Sequence, residues 1–333
     1  MKELRVAIVG ATGLVGQKII DILTERDFPV RSLTALATEG HGRSVDFRGR
    51  SIPVQSVESA DWDSIDVAFF AASNEASQRY APLAARHGVT VVDKSSYFRM
   101  DPSVPLVVPE VNPGAIGESR IIASPNCSTI QMVVALEPLR RQYGLTRVIV
   151  STYQAVSGTG REAMDTLQRE TRQALEGQPV IPTTYPTPIA FNTLAYCDKF
   201  GDEDYTGEEW KLTRETQKIF GDALPVSATA VRVPVFVSHA ESVYVETEKP
   251  FAVDDVRELL AGAPGVIVVD DPSRGAVPTP LDAAGQDMVL VGRIRRDLFV
   301  DQGLHLFIVA DNLRKGAATN AVQIVETLMS RWA

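Results

Sequence analysis

The chain of 333 residues is 44% hydrophobic and 23% charged, and it exceeds the length that one core usually supports, so we expect two domains. Its formal net charge of −9 argues against nucleic acid and membrane surfaces as partners but leaves room for a small anion held by local arginines. Two cysteines do not make a disulfide scaffold in a chain of this length, and they indicate a reducing compartment. Because the sequence has no signal peptide and no apolar run of about 20 residues, we expect a cytoplasmic protein.

Short apolar runs alternate with helical patterns through the first 126 residues. Strands are predicted at 4–9, 33–37, 67–71 and 89–92, and helices are predicted over 15–23 and 76–87. The second helix ends at Gly88, a residue suited to the left-handed turn that follows many helices, and His87 caps it. Alternation of this kind is typical of a doubly wound parallel sheet.

A glycine turn at Gly10, Gly13 and Gly16 connects the first strand to the first helix. This spacing is related to the G-x-G-x-x-G motif and allows a pyrophosphate to approach the helix N-terminus, although such turns also occur for packing reasons. A dinucleotide-binding fold expects a cofactor-selecting residue about 20 positions further on. Glu39 would accept a hydrogen bond from a ribose hydroxyl of NAD, whereas Arg43 would meet the 2′-phosphate of NADP, so the choice stays open.

The segment Pro125–Thr129 follows an apolar run and opens a helical pattern over 129–136. A cysteine in the first turn of a helix, such as Cys127, meets unpaired backbone N–H groups and the positive end of the helix dipole. Both favour the thiolate, which is the nucleophilic form. The alternative reading is a small buried cysteine with no chemistry.

The second half of the chain is richer in strands. Strands are predicted at 147–154, 228–237, 242–248, 265–269, 288–294 and 304–310, and helices at 161–175, 208–220 and 317–332. A proline-rich segment at 178–188 is predicted to be irregular. These patterns predict an α/β protein with a Rossmann-type doubly wound sheet over 1–126. Segment 312–333 is assigned to the same domain, although spacing alone does not decide whether its helix returns to cover that sheet. A second α+β domain with a mixed sheet, for catalysis and dimerisation, is predicted over 127–311.

A histidine and an arginine in one apolar run form a candidate site. His239 is predicted to end a long strand that also contains Arg232, and a guanidinium in an apolar strand needs an anionic partner. Seven positions apart, the two side chains would face opposite sides of an unbroken strand. A break at Pro234 would let both face one site; otherwise His239 is a surface residue at a strand end.

Three further charged residues are weaker candidates. Arg99 lies just past the carboxyl end of a predicted parallel strand, where α/β ligands bind, but it also fits a solvated loop charge. Glu208 and Lys211 share one face of a predicted helix, although most such pairs contribute little.

Several motifs in order resemble those of the aspartate-β-semialdehyde dehydrogenases, nearly from end to end. The motifs are Val9–Gly16, Ser124–Thr129, Thr152–Gly160, Ala230–Pro234, Ser238–Ser242, Val291–Arg295 and Asp311–Ala318. The resemblance implies reversible reductive dephosphorylation of L-aspartyl-4-phosphate by NADPH, which gives L-aspartate 4-semialdehyde, phosphate and NADP. It places the enzyme in lysine, methionine and threonine biosynthesis, as a homodimer or homotetramer without a metal.

The resemblance also implies roles for individual residues. Cys127 carries the acyl-thioester, His239 is the acid/base group, and Gln154 helps to position the substrate. The substrate-binding residues implied are Arg99, Asn126, Glu208, Lys211 and Arg232. The cofactor-binding residues implied are Gly10, Thr12, Gly13, Leu14, Val15, Thr38, Ser157, Gly158 and Asn312.

Two departures and two alternatives accompany this reading. Where many relatives carry an Arg-Ser pair for the 2′-phosphate, this chain has Glu39-Gly40-His41, so NAD or dual use competes with NADP. Lys94 stands where relatives usually have asparagine. The alternative enzyme is N-acetyl-γ-glutamyl-phosphate reductase, whose cysteine typically follows Asn-Pro-Gly. The other alternative is a non-catalytic paralogue that binds a dinucleotide or a partner protein.

Overall fold

The computed structural model describes residues 3–38 and 42–332. The strands of this part are β1 Leu4–Val9, β2 Val30–Ala37, β3 Ser44–Phe47, β4 Arg50–Ser56, β5 Val67–Phe70, β6 Thr90–Asp93, β7 Ile121–Ala123, β8 Leu145–Gln154, β9 Val226–Arg232, β10 His239–Thr247, β11 Val266–Val268, β12 Val289–Arg296 and β13 Gly303–Ala310. The α-helices are α1 Leu14–Glu25, α2 Asn74–Arg86, α3 Cys127–Tyr143, α4 Arg161–Leu175, α5 Gly207–Phe220, α6 Val253–Ala261, α7 Pro280–Ala283 and α8 Thr319–Trp332. A π-helical turn, Arg314–Ala318, precedes α8.

The chain divides into two compact units. The first unit comprises Met1–Asn126 and Ala317–Ala333, and the second comprises Cys127–Gly316. No helix in the two described ranges combines the length and apolar character needed to cross a bilayer.

A seven-stranded sheet in the order β3-β4-β2-β1-β5-β6-β7 forms the first unit. All its strand pairs are parallel except the β3–β4 hairpin. Without β3, the order is the 3-2-1-4-5-6 arrangement of a doubly wound dinucleotide-binding sheet. The prediction of a Rossmann-type domain is therefore confirmed. In such sheets ligands bind at the carboxyl ends of the strands, next to the point where the strand order reverses.

Apolar spacing explains how the terminal helix joins the first unit. Ala321, Ile324, Val325 and Leu328 recur at helical intervals on α8 and are buried in the same core cluster as β1 and α1. Burying such a stripe removes apolar surface from water at about 25 cal/mol per Å². The last helix of the chain thus belongs to the core of its first domain.

The second unit contains a six-stranded mixed sheet in the order β11-β12-β13-β10-β8-β9. Its two edge pairs, β8–β9 and β11–β12, are parallel, and the others are antiparallel. The mixed sheet predicted for this region is confirmed. Helix α3 packs against the central strands, and alternate β10 residues, including His239, Glu241 and Val243, are buried.

One predicted strand, 228–237, is wrong in its extent. Strand β9 stops at Arg232, and His239 begins β10 instead of ending a strand. Pro234 supplies no N–H to a ladder, and Ser238 has a φ of 78°, so the intervening segment turns out of the sheet. The break predicted at Pro234 is present, and His239 belongs to the next strand, β10.

Candidate active site

The glycine turn after β1 is required by close backbone packing. Gly10 has a φ of 87°, and a Cβ there would lie 2.3 Å from the carbonyl oxygen of Ala71. A Cβ on Gly16 would lie 2.2 Å from the carbonyl oxygen of Gly10. Gly13 precedes the first residue of α1, so the helix begins at the carboxyl end of a central strand with no side chain between. This geometry suits the pyrophosphate of a dinucleotide.

The residues that would read the adenosine ribose are only partly described. Thr38 is exposed and directly follows β2. Glu39, Gly40 and His41 lie outside the described residues, so the structure does not bear on their predicted roles. Arg43 is exposed just before β3.

The carboxyl end of β6 carries a network that orients Arg99. The Arg99 guanidinium is 8% exposed and donates to the carbonyl oxygen of Lys94 at 2.7 Å. Lys94 Nζ donates to the carbonyl oxygen of Pro125 at 2.8 Å, two residues before Cys127. Asp93 accepts from Ser95 and is fully buried. The solvated-loop alternative for Arg99 is wrong, and Lys94 has a structural role that the sequence did not suggest.

Cys127 is the first residue of α3 and is half-buried. The helix starts two residues earlier than predicted, which places the sulfur at the end where backbone N–H groups are unpaired within the helix. A Cβ on Gly316 would lie 2.9 Å from Cys127 Cβ, so the π-helical turn packs closely against the cysteine. The other cysteine, Cys197, is buried, and burial raises its pKa to about 12, which keeps it a thiol.

His239 is held in one tautomer by the backbone. The Ala155 N–H donates to His239 Nδ1 at 3.0 Å, so the neutral ring carries its proton on Nε2. Nε2 has no hydrogen-bond partner within the described part of the chain. Burial, and secondarily the positive charge of Arg232, lowers the pKa of His239 to about 3. The resting ring is therefore a neutral donor.

Arg232 lies beside this histidine. Its Nη1 donates to the carbonyl oxygen of Ala155 at 2.8 Å, so one peptide unit contacts both side chains. A Cβ on Gly158 would lie 3.0 Å from Arg232 Nη1 and 3.2 Å from the His239 ring. Arg232 is 7% exposed and makes no ion pair with a described residue. A buried guanidinium with no ion-pair partner among the described residues is suited to binding the carboxylate of a ligand.

A second polar group centres on Glu208. Gln154 Nε2 donates to Glu208 Oε1 at 3.1 Å, and Lys211 Nζ lies 3.2 Å from Glu208 Oε2. Lys211 also pairs with Asp198 at 2.8 Å. Burial has the largest single effect and lowers the pKa of Lys211, but the charges and hydrogen bonds of Glu208 and Asp198 together outweigh it and raise that pKa. The predicted helix-face pair is present and is largely buried rather than solvated.

The turn after β8 is tied to the end of β13. Ser157 Oγ lies 3.0 Å from Asn312 Oδ1, which also accepts from the Ser238 N–H at 2.9 Å. Asn312 therefore fixes both the Ser157–Gly158 turn and the residue before His239.

The second unit brings together most of the predicted site residues. Ala155 joins Arg232 to His239, and charges on Arg232, Glu208 and Cys127 all act on Cys197. The first unit carries the remaining predicted residues near the carboxyl edge of its sheet: Gly10, Thr12, Gly13, Leu14, Val15, Thr38, Arg99 and Asn126.

Sequence reasoning missed two buried residues, Gln131 and Glu241. Gln131 lies four positions after Cys127, one turn along the same helix face, and Glu241 lies two positions after His239, on the same strand face. Their spacing from Cys127 and His239 is the sequence feature by which the two residues could have been found.

Comparisons with known proteins agree with this arrangement. Residues 5–119 match the family model described as "Semialdehyde dehydrogenase, NAD binding domain", and residues 136–315 match "Semialdehyde dehydrogenase, dimerisation domain". An aspartate-semialdehyde dehydrogenase of Aquifex aeolicus is 49% identical over 98% of both chains. The crystal structure of aspartate semialdehyde dehydrogenase II from Vibrio cholerae matches with a TM-score of 0.97, 47% identity and complete coverage of both chains.

Two further solved structures were determined with ligands. The Vibrio cholerae protein is also known complexed with ASA, again with a TM-score of 0.97. An aspartate semialdehyde dehydrogenase from Candida albicans, 26% identical with a TM-score of 0.75 over 98% of this chain and 99% of its own, was solved with NADP.

The fold and these matches define an oxidoreductase that binds a nicotinamide dinucleotide in its first domain and has a dimerisation domain after it. The chain belongs to the aspartate-semialdehyde dehydrogenase family. The reductase of N-acetyl-γ-glutamyl phosphate and the non-catalytic paralogue are not favoured.

Proposed function

We propose that the protein catalyses the reversible reductive dephosphorylation of L-aspartyl-4-phosphate to L-aspartate 4-semialdehyde, in lysine, methionine and threonine biosynthesis. The observation that carries the proposal is the buried Arg232 guanidinium, which contacts the same peptide unit as the His239 ring. No described carboxylate pairs with it, and a substrate carboxylate would fill that place. The bound substrate would then lie beside the imidazole.

In this proposal Cys127 is the nucleophile. Its sulfur attacks the acyl phosphate, a C–S bond forms, the C–O bond to phosphate breaks, and phosphate leaves. A thioester carbonyl accepts hydride more readily than a carboxylate does, which is why the covalent step comes first. The nicotinamide dinucleotide supplies the hydride when it is bound. The start of α3 lies at the positive end of the helix dipole, which would stabilise the oxyanion of the tetrahedral adducts.

His239 is the acid/base group and acts through Nε2. The Nε2–H hydrogen-bonds to the alkoxide that forms when hydride adds and stabilises its charge until the C–S bond breaks, the sulfur leaves as a thiolate and the aldehyde forms. Arg232 is one cause of the low pKa of His239. A carboxylate on Arg232 offsets that charge, so substrate binding raises the pKa of His239 towards its usual value.

The substrate has an anion at each end, and basic groups are present for both. Arg232 would hold the carboxylate, while Arg99 and Lys211 would hold the phosphate. Glu208 would take the amino group, since its carboxyl is close to Gln154 and Lys211. Gln154 and Asn126 would position the reacting carbon.

We propose NADP as the preferred cofactor. The glycine turn at Gly10 and Gly13 leaves the start of α1 open to a pyrophosphate. Thr12, Leu14 and Val15 would contact the dinucleotide there, and Thr38 would contact it at the end of β2. Ser157, Gly158 and Asn312 are proposed as further cofactor-binding residues. Arg43 is exposed and free to reach a 2′-phosphate.

We further propose that the protein is a cytoplasmic homodimer. The outward face of the second sheet exposes Ile149 and Tyr153, each 39% exposed, and Tyr153 packs against Phe307 at 6.3 Å between ring centroids. This surface lies in the part of the chain that matches the dimerisation domain. A second copy of the chain would bury it. The buried thiol of Cys197 suits a reducing compartment.

Initial rates with purified protein test the function. Reduction of NADP should require both L-aspartate 4-semialdehyde and phosphate, and N-acetyl-L-glutamate 5-semialdehyde should not replace the substrate. Rates with NADP and NAD, measured side by side, test the cofactor proposal. Full activity without phosphate, or equal activity with the acetylated substrate, would overturn the assignment.

A further inference from the structure

A buried carboxyl group on β10 has no role in the steps above. Glu241 is two residues after His239 on the face of β10 that packs against α3, and it is fully buried. Its cross-strand neighbours are Thr152 on β8 and Ile308 on β13. Neither carboxyl oxygen has a hydrogen-bond partner of normal geometry in the described chain. Burial raises the pKa of Glu241 well above its usual value, against a smaller lowering by the Gln131 amide and with a further small rise from the charge of Glu208.

Gln131 connects this carboxyl group to the histidine. It lies one helical turn after Cys127 on α3, and its Nε2 donates to the carbonyl oxygen of His239 at 3.3 Å. Its amide also lies close enough to the Glu241 carboxyl to act on it. The helix that begins with the nucleophile is thus bonded to the strand that begins with the imidazole.

The balance of donors and acceptors favours a proton in this pair. Three buried oxygens, both of Glu241 and Oε1 of Gln131, have no hydrogen-bond donor of normal geometry among the described residues. An ionised Glu241 would be a buried charge without a cation, at a cost of several kcal/mol. A protonated Glu241 has one O–H to give, and the Oε1 of Gln131 is available to accept it.

We propose that Glu241 is a neutral carboxylic acid that fixes the Gln131 amide and so positions His239 relative to the helix of Cys127. The inference rests on the proposed role of His239. Glu241 and Gln131 are positioning residues, since neither is assigned a contact with the substrate or the cofactor.

Four variants test the pair. Glu241→Gln keeps a neutral group of the same size and should retain kcat within about threefold, whereas Glu241→Leu removes the hydrogen bond. Gln131→Leu should lower kcat roughly tenfold, the equivalent of one lost hydrogen bond, with KM for phosphate and semialdehyde nearly unchanged. Gln217→Leu is the matched control, because Gln217 also donates to a backbone carbonyl in this domain, that of Leu224, and should leave kcat unchanged.

An infrared difference spectrum tests the protonation state without any assay of activity. Wild type minus Glu241→Gln at neutral pH should show the carbonyl stretch of a protonated carboxylic acid. A carboxylate band in its place, a Glu241→Gln variant as impaired as Glu241→Leu, or a fully active Gln131→Leu variant would overturn the inference. If the wild-type protein fails to oxidise the semialdehyde at all, the proposed function fails instead, and the infrared result still decides the state of Glu241.

Discussion

At the scale of single residues, the backbone of Ala155 organises the chemistry. Its N–H sets the tautomer of His239 and its carbonyl oxygen holds Arg232, so the imidazole and the guanidinium have a fixed relation before any ligand binds. Such preorganisation spares the entropy of bringing reacting groups together. The roles proposed for Arg232 and His239 are therefore coupled through one peptide unit.

Arg232→Lys should lower kcat/KM for L-aspartate 4-semialdehyde roughly 10- to 100-fold. Lysine keeps the charge but lacks the planar fork that binds a carboxylate through two hydrogen bonds, each charge-assisted bond being worth about 1.5–3 kcal/mol. Steady-state kinetics measure the effect, and KM for phosphate is the internal control. An unchanged kcat/KM would show that Arg232 does not bind the substrate carboxylate.

Acid should destabilise the protein through His239. Because burial lowers the pKa of His239 to about 3, the unfolded chain binds a proton between about pH 3 and 6.5 that the folded chain does not. The native state therefore loses stability as the pH falls through this window, by up to about 1.4 kcal/mol per pH unit. Denaturant unfolding of wild type and His239→Asn at several pH values should reveal the difference, since asparagine does not titrate. Parallel pH dependences would contradict a buried neutral imidazole.

At the scale of elements, periodic patterns predicted long elements well and short or interrupted ones poorly. Helix α4 was predicted with its observed bounds, Arg161–Leu175, because its pattern runs for several turns and starts after a glycine. The four-residue strand β3 was not predicted, since so short a run carries little periodicity. The predicted strand 228–237 was too long because Pro234, where a break was considered, cannot donate a backbone hydrogen bond to a neighbouring strand. Gln131 and Glu241 were missed because they look like ordinary core positions.

Close packing of the π-helical turn against α3 gives a prediction at this scale. Gly316→Ala would put a methyl group 2.9 Å from Cys127 Cβ, so the turn or the helix start must shift at a cost of about 1–3 kcal/mol. We expect slower alkylation of Cys127 by iodoacetamide and a lower kcat. Gly114→Ala is the control, because a Cβ there meets nothing within 4 Å. Equal alkylation rates in both variants would show that the turn does not position the cysteine.

At the scale of the whole molecule, the two domains correspond to two different patterns of predicted strands and helices. Alternating strands and helices gave the parallel sheet, and strand-rich sequence gave the mixed one. The joint contact of Ala155 with Arg232 and His239 was beyond sequence reasoning, because backbone groups carry no residue-specific signal. Cys127 and Glu208 were identifiable because a helix start and a helix face are local features.

The exposed apolar face of the second sheet should control assembly. Ile149→Asp places a charge between the copies and should shift sedimentation velocity from dimer towards monomer. Ile267→Asp, on the edge strand β11 and 38% exposed, is the matched control and should stay dimeric. A dimeric Ile149→Asp protein would exclude this face as the interface.

The central claim, a thioester on Cys127, is tested most directly by mass spectrometry of the intact enzyme. Incubation with L-aspartate 4-semialdehyde and NADP, without phosphate, should leave an aspartyl group on the peptide that contains Cys127, and adding phosphate should discharge it. Cys127→Ser should accumulate no thioester and show no turnover while keeping the wild-type unfolding transition. An adduct on Cys197, or full turnover by Cys127→Ser, would contradict the account.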